Sequence, residues 1–227
     1  MANLVIIPAR GGSKRIPKKN IKLFNRKPII SYVIQAVKRT NLFDEIMVST
    51  DDNLVVEIAK QYGASVPFLR STRNANDFAT LTDVLLEVIE QYKKIGKTFE
   101  TICCILPTAA LVTPEKINEG YELLKKANFT SVVPVIKYAY PIQRALKLNK
   151  GLLGLRELEH INTRSQDLED HYHDSGQFYW LNTNLFLNEK KVFTSNTGHI
   201  ELKEYEAQDV DTLEDWKMLE LKYNFKK

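Results

Sequence analysis

Two periods of apolar residues alternate along this chain. Short runs rich in branched aliphatic residues, the first being Leu4 to Ile7, have the length and composition of buried strands, and amphipathic stretches with helical spacing lie between them. The first of these, Ile29 to Lys38, follows Pro28, a residue suited to opening a helix. The pattern continues with a strand over Glu45 to Ser49, a helix over Leu54 to Tyr62 ended by Gly63, a short strand over Ser65 to Leu69 and a helix over Thr82 to Lys94. It then predicts strand Thr101 to Leu106, helix Pro114 to Ala127 and strand Ser131 to Ile136. Such βα alternation implies an α/β chain of three layers, doubly wound and Rossmann-like, with a mostly parallel sheet and ligands outside the carboxyl ends of its strands.

The rhythm breaks between Lys137 and Ser175, where tyrosines, Pro141, Gly151, Gly154 and a polar run suggest a hairpin and a long loop. Loops of this length are usually functional or used in assembly. Beyond it, Gly176 to Asn182 and Glu201 to Tyr205 read as strands and Leu213 to Tyr223 as a closing helix. With 227 residues, the chain suits one domain spanning 1–227, with an excursion at about 138–175.

Composition narrows the class. Hydrophobic residues make up 44% and charged residues 26%, ordinary globular usage. No apolar run approaches the ~20 residues that span a bilayer, which excludes a membrane helix. The start, MANLVIIPAR, lacks the pattern of a secretory leader and reads as a strand, so a cytoplasmic location is expected. Cys103 and Cys104 are adjacent within an apolar run and point to opposite faces of a strand, which rules out a disulfide framework and makes a poor zinc site. The first 43 residues carry ten Lys or Arg and no Asp or Glu, so an anionic ligand is expected at that end. Aromatic residues are not interleaved with these charges, which argues against nucleic acid.

The chemistry centres on PARGGSKRIPKKNIK, residues 8–22. Gly11 and Gly12 allow backbone N–H groups close to an anion, and Arg10, Lys14, Lys18 and Lys19 add positive charge, so a polyphosphate suits this loop. It is neither a Walker A motif nor GxGxxG. Ala9, Arg10, Ser13, Lys14, Pro17, Lys19 and Asn20 reproduce the A-R-x-x-S-K-x-x-P-x-K-N signature, and the chain thereby resembles the acylneuraminate cytidylyltransferases, the enzymes that make CMP-nonulosonic acids. The resemblance extends through Ser49-Thr50-Asp51, Arg70 and Asp77, Pro107 and Thr108, and Asp209 to Thr212, over essentially the whole chain.

That resemblance implies a nucleotide-diphospho-sugar transferase fold and a reaction between CTP and a sialic-acid-like sugar that releases pyrophosphate. It implies a nucleotide site of Ala9, Arg10, Gly11, Gly12, Ser13, Lys14, Lys19, Asn20, Arg70, Asp77, Thr80 and Thr108. Arg10, Lys19, Asp209 and Asp211 form the catalytic set, and a homodimer is implied, the excursion reaching the neighbour's site. From the residues alone, Asp209 and Asp211 in extended chain align two carboxylates for a hard cation, while Thr212 and Asp215 fit a helix cap. The resemblance favours Mg²⁺, with Mn²⁺ as substitute, on the two aspartates.

The stretch TRSQDLEDHYHDSGQFYW, residues 163–180, resembles the branch of the family that acts on pseudaminic acid. It implies Arg164 for the sugar carboxylate, and Gln166, Asp174, Gln177 and Tyr179 for acylamino and hydroxyl groups. Leu106 and Val112 replace a Gln and an Arg of the sialic acid enzymes, which argues against N-acetylneuraminate itself. His171 and His173 have a metal-like spacing but lack a third ligand. Three other readings stay open: a legionaminic or sialic acid enzyme, a dinucleotide oxidoreductase without its GxGxxG, and a nucleotide-binding module without catalysis.

Overall fold

The computed structural model describes residues 2–225. Along the chain its elements are strand β1 (Asn3–Pro8), two-residue strands β2 (Leu23–Phe24) and β3 (Lys27–Pro28), helix α1 (Ile29–Thr40), β4 (Glu45–Ser49), α2 (Asn53–Gln61) and α3 (Leu81–Lys94). There follow β5 (Thr101–Ile105), α4 (Pro114–Ala127), β6 (Ser131–Lys137), β7 (Leu146–Asn149), β8 (Leu152–Leu155), β9 (Tyr172–Asp174), β10 (Phe178–Asn182), α5 (Thr183–Glu189), β11 (Thr197–Leu202) and α6 (Leu213–Phe225). Side-chain caps set several helix starts: Asp52 accepts from the N–H groups of Leu54 and Val55, Thr113 accepts from Lys116, and Thr80 forms a reciprocal box with Asp83.

Seven strands form the main sheet in the order β11-β6-β10-β5-β1-β4, with β9 also paired to β6. β4, β1, β5, β6 and β11 point one way and β9 and β10 run against them, so the sheet is mixed with a parallel majority. Alternation along β1 feeds both faces. Val5 and Ile7 pack with Val33, Ile34 and Val37 of α1 and Ile117 of α4, whereas Leu4 and Ile6 pack with Leu85, Val88 and Tyr92 of α3. Cys103 and Cys104 divide the same way, each a buried free thiol. No helix among the described residues is long and apolar enough to cross a membrane.

Besides the short strands β2, β3 and β9, which no pattern announced, four elements differ from the pattern-based expectation. Ser65 to Leu69 is not a strand, since Ser65 alone bridges to Met47 and Pro67, lacking an N–H, ends the ladder. The strand expected at Glu201 to Tyr205 lies earlier, over Thr197–Leu202, where Gly198, Ile200 and Leu202 alternate inward; Glu204–Glu206 is a 3₁₀ turn. Helix α5, capped by Asn182, is too short for a helical period to register. The strand expected from Gly176 begins at Phe178, because β9 and β10 lie along the same side of β6 and are separated by a bend at Gly176, whose φ is +65°.

Candidate functional site

Strand β1 delivers the chain at Pro8 into the basic loop, and the loop walls a cleft of about 410 Å³ outside the carboxyl ends of β1 and β5. That volume suits a small-molecule ligand. Arg10, Ser13, Lys14, Lys19 and Asn20 come from the loop, Arg70, Asp77 and Thr80 from the segment before α3, Thr108 from the turn after β5, and Asp209 and Asp211 from the approach to α6. Elements distant in sequence thus converge on one site. Arg15 also lines it; its positive charge in the same loop was the only sequence signal for it.

The loop is fastened at both ends. Asn20 is buried and donates from Nδ2 to the Arg10 carbonyl at 2.9 Å, and the Ala9 N–H donates to the Ser49 carbonyl at 2.9 Å. Ala9 itself is fully buried in the core with residues of α1 and α4 and does not line the cleft. Arg10 Nη1 donates to Asp77 Oδ1 at 2.7 Å, and Lys14 pairs with the other oxygen of the same carboxylate. Those two contacts, Lys14 first, hold Asp77 below the usual carboxylate range. Gly11 donates its N–H to Asp51 Oδ1 at 2.9 Å, and a Cβ there would lie 2.6 Å from Asp52 Oδ2 and 2.8 Å from Asp52 Cβ. Gly12 faces open space. The two glycines therefore answer to different needs: Gly11 is small because α2 begins against it.

Arg70 is only 8% exposed, so it is no ordinary surface arginine. Its Nε donates to Ser49 Oγ at 3.0 Å and its Nη2 to the Ser49 carbonyl at 2.6 Å. Burial pulls its guanidinium below the ordinary value while Asp51 and Glu87 oppose the shift. Thr80 lines the cleft, but its hydroxyl is engaged in capping α3, donating to Asp83 Oδ2 at 2.6 Å. Thr108 is buried in the cleft wall.

Val210 is fully buried against Ile16, Phe24 and Trp216, and this turns Asp209 and Asp211, two residues apart, toward the cleft. Asp211 Oδ1 accepts from Arg15 at 2.8 Å and lies 3.5 Å from Lys19 Nζ, which donates to the Val210 carbonyl. Burial and then the charge of Asp211 raise Asp209 above the usual carboxylate range, with Lys19 opposing. Two carboxylates in such mutual repulsion are an all-oxygen donor set that a small, hard divalent cation fits. Thr212 and Asp215 make the reciprocal cap of α6, with Thr212 N–H on Asp215 Oδ2 at 2.7 Å and Asp215 N–H on Thr212 Oγ1 at 3.2 Å.

The residues expected at the sugar end separate into two groups. Tyr179 donates its hydroxyl to Asp174 Oδ2 at 2.6 Å, Asp174 Oδ1 accepts the Gly176 N–H at 2.9 Å, and Asp209 packs against Gly176, so Asp174 and Tyr179 adjoin the aspartate pair. Gln177 is buried and donates from Nε2 to the Glu206 carbonyl at 2.6 Å, which positions the segment entering Asp209. Arg164 instead forms a two-pronged ion pair with Asp167 at 2.7 and 3.1 Å. Gln166 lines a separate cleft of about 470 Å³ with Lys137, Asp170 and His171. Within one chain, Arg164 and Gln166 are not brought to the basic cleft. His171 and His173 direct Nδ1 to the carbonyls of Glu169 and Asp174, at 3.0 and 2.9 Å.

Residues 4–226 match the family model described as cytidylyltransferase. The chain is 36% identical over 224 residues to a pseudaminic acid cytidylyltransferase of Campylobacter jejuni, covering 98% of this chain and 97% of that one. It is 31% identical to a CMP-N,N'-diacetyllegionaminic acid synthase of Legionella pneumophila, covering 97% of this chain and 95% of that one. Among solved structures, a CMP:2-keto-3-deoxy-manno-octonic acid synthetase complexed with CTP superposes with a TM-score of 0.73 at 16% identity, over the full length of both chains. At that identity the likeness concerns the fold alone.

Proposed function

The chain belongs to the cytidylyltransferase family, and on that premise we propose that it transfers CMP from CTP to the anomeric hydroxyl of pseudaminic acid and releases pyrophosphate. The observation that carries this reading is the 36% identity to the Campylobacter jejuni enzyme over nearly the whole of both chains. The cleft supports it, because four cations, Arg10, Lys14, Arg15 and Lys19, converge where a triphosphate needs charge neutralised.

In this reading the anomeric oxygen attacks the α-phosphorus. A new P–O bond forms, the bond from that phosphorus to the oxygen leading to the β-phosphate breaks, its electron pair leaves with pyrophosphate, and the hydroxyl proton passes to water. Lys19 and Arg10, the less exposed cations of the loop, neutralise charge at the reacting phosphate, and Asn20 keeps the loop in shape by holding the Arg10 carbonyl. Arg70, tied to Ser49, and Thr108 form the floor for the nucleoside. Asp209 and Asp211 would hold Mg²⁺, or Mn²⁺ in its place, which supplies further neutralisation of the phosphates when bound. Asp174 and Tyr179 are the groups of this chain offered to the sugar's hydroxyls.

A second copy completes the reading. The β7–β8 hairpin exposes Leu146, Leu148 and Leu153 on one face, an apolar patch suited to a homodimer in which Arg164 and Gln166 serve the neighbour's sugar site. The compartment proposed is the cytoplasm, which supplies CTP and keeps Cys103 and Cys104 reduced.

The test is pyrophosphate release with CTP, UTP, ATP and GTP against pseudaminic, legionaminic and N-acetylneuraminic acids. CTP with pseudaminic acid should give the highest kcat/KM by at least tenfold. Equal turnover with UTP or ATP would remove the cytidylyl assignment, and comparable efficiency on N-acetylneuraminate would remove the sugar assignment. The Legionella relative supports legionaminic acid as the second reading, which the same panel decides.

A further inference from the structure

We propose that Lys222, in the last turn of α6, is a positioning residue for the aspartate pair: its ammonium fixes the backbone two residues before Asp209 and so sets where that carboxylate stands beside Asp211. The inference rests on reading Asp209 and Asp211 as the site of a divalent cation.

The chain from Ala207 to Val210 is non-helical and lies outside the strands, so its carbonyls have no ladder to satisfy them. Side chains take that place. The Glu206 carbonyl accepts from Gln177 at 2.6 Å, the Ala207 carbonyl from Lys222 Nζ at 2.9 Å and the Val210 carbonyl from Lys19. These donors come from the junction of β9 and β10, from α6 and from the basic loop, so distant parts of the fold converge on one short segment. Burial holds it as well: Ala207 packs beside Ile136 and Leu202, and Val210 beside Trp216 and Leu219 of α6. Asp209 stands between these anchors.

Lys222 is no ordinary surface ion pair. Its side chain is only 12% exposed, against 66% for Glu204, the carboxylate it also meets at 2.8 Å. An ammonium drawn that far from water needs acceptors in fixed positions, and a backbone carbonyl cannot swing away as the Glu204 side chain can. Tyr205 separately holds the turn 204–206 to α6 through an edge contact with Phe225, ring centroids 5.6 Å apart. What Lys222 adds is the tie to Ala207, closer to the aspartates. A purely structural alternative is that Lys222 strengthens the junction of this turn with α6 and does nothing more.

Four variants separate the two. Lys222→Met keeps the aliphatic stem and removes the donor, Lys222→Arg keeps a charged donor, and Glu204→Gln and Phe225→Ala loosen the turn while leaving the tie to Ala207. Each is melted, titrated with Mn²⁺ alone under electron paramagnetic resonance, titrated with CTP in EDTA, and followed by deuterium exchange of residues 207–212 in EDTA. Lys222→Met should weaken Mn²⁺ about tenfold and speed exchange of 207–212, leave CTP binding in EDTA within about twofold, and be largely rescued by Lys222→Arg. Glu204→Gln and Phe225→Ala should bind Mn²⁺ as the wild type does, whatever their melting temperatures. The proposal is overturned if Lys222→Met binds Mn²⁺ normally, if the four variants lose Mn²⁺ affinity in step with their melting temperatures, or if CTP in EDTA weakens as much as Mn²⁺. Should Lys222→Met not fold, Lys222→Gln takes its place under the same criteria. A wild-type Mn²⁺ signal that Asp209→Asn leaves unchanged would sink the metal reading of the pair; exchange of 207–212 then decides alone, and equal exchange in Lys222→Met and Phe225→Ala overturns the positioning role.

Discussion

Replacing Gly11 by alanine adds one methyl group where the basic loop meets the start of α2. The new Cβ would stand 2.6 Å from Asp52 Oδ2, 2.8 Å from Asp52 Cβ and 3.1 Å from Asp52 Cγ. The oxygen can swing aside, but the Cβ moves only with the backbone. If Asp52 yields, it gives up its bonds to the N–H groups of Leu54 at 2.8 Å and Val55 at 3.4 Å, a cap worth about 1 kcal/mol. Residual crowding adds about 1–2 kcal/mol, so the expected destabilisation is about 2–3 kcal/mol. If the loop yields instead, the Gly11 N–H leaves Asp51 and Arg10 shifts with it, and kcat/KM should fall about tenfold or more. Gly12→Ala is the matched control: nothing lies within 4 Å of its Cβ, and it should stay within about 0.5 kcal/mol of wild type. Urea denaturation and pyrophosphate release measure both effects. In an Asp52→Gly background, which keeps a tolerated cap residue and removes the clashing side chain, Gly11→Ala should cost less than about 1 kcal/mol. If Gly11→Ala matches Gly12→Ala in stability and kcat/KM, or costs the same with Asp52 removed, the account of the loop against α2 is wrong.

Asp209→Asn should stabilise the metal-free protein at neutral pH. Burial and Asp211 raise the folded-state value of Asp209 above its ordinary 3.8, so its ionisation costs stability as pH rises from there through the folded value; melts from pH 3 to 8 in EDTA should show the gain fade toward acid. The same variant should need much higher Mg²⁺ for activity, and an unshifted Mg²⁺ midpoint with normal kcat would take Asp209 out of the mechanism. Lys19→Ala should lower kcat about 100-fold with little loss of stability, because its amine faces the cleft; normal kcat with a lowered melting temperature would reverse that assignment. Burial raises both the Cys103 and Cys104 thiols well above their ordinary value, so neither should react with an aromatic disulfide reagent until the protein unfolds; fast labelling of the native protein would contradict the packing of β5.

Local information carried a large part of this protein. The pattern of apolar residues placed β1, α1, β4, α4 and β6 to within about two residues, since a continuous apolar run for a strand buried on both faces, or apolar residues at every third and fourth position for a helix, is written directly in residue order. The loop signature and the Thr212–Asp215 cap were legible for the same reason, because their chemistry spans a few neighbouring residues. The spacing of Asp209 and Asp211 was legible too, but it took the burial of Val210 to turn both carboxylates outward.

What the tertiary structure alone decided are the relations between distant segments. Nothing near Phe178 states that β10 enters the sheet between β5 and β6 against their direction, because strand order depends on partners that the chain meets only after folding. The pairing of Asp77 with Arg10 and Lys14, the tie from Arg15 to Asp211 and the buried grip of Arg70 on Ser49 each join residues 21 to 196 positions apart. Gln177, suited by type to a sugar, is instead spent on the Glu206 carbonyl, and Gly11, suited by type to an anion, is small because of Asp52. A side chain's chemistry is local, but which partner it meets and how much water remains around it are set by packing, so residue type named the candidates and only the fold determined their neighbours.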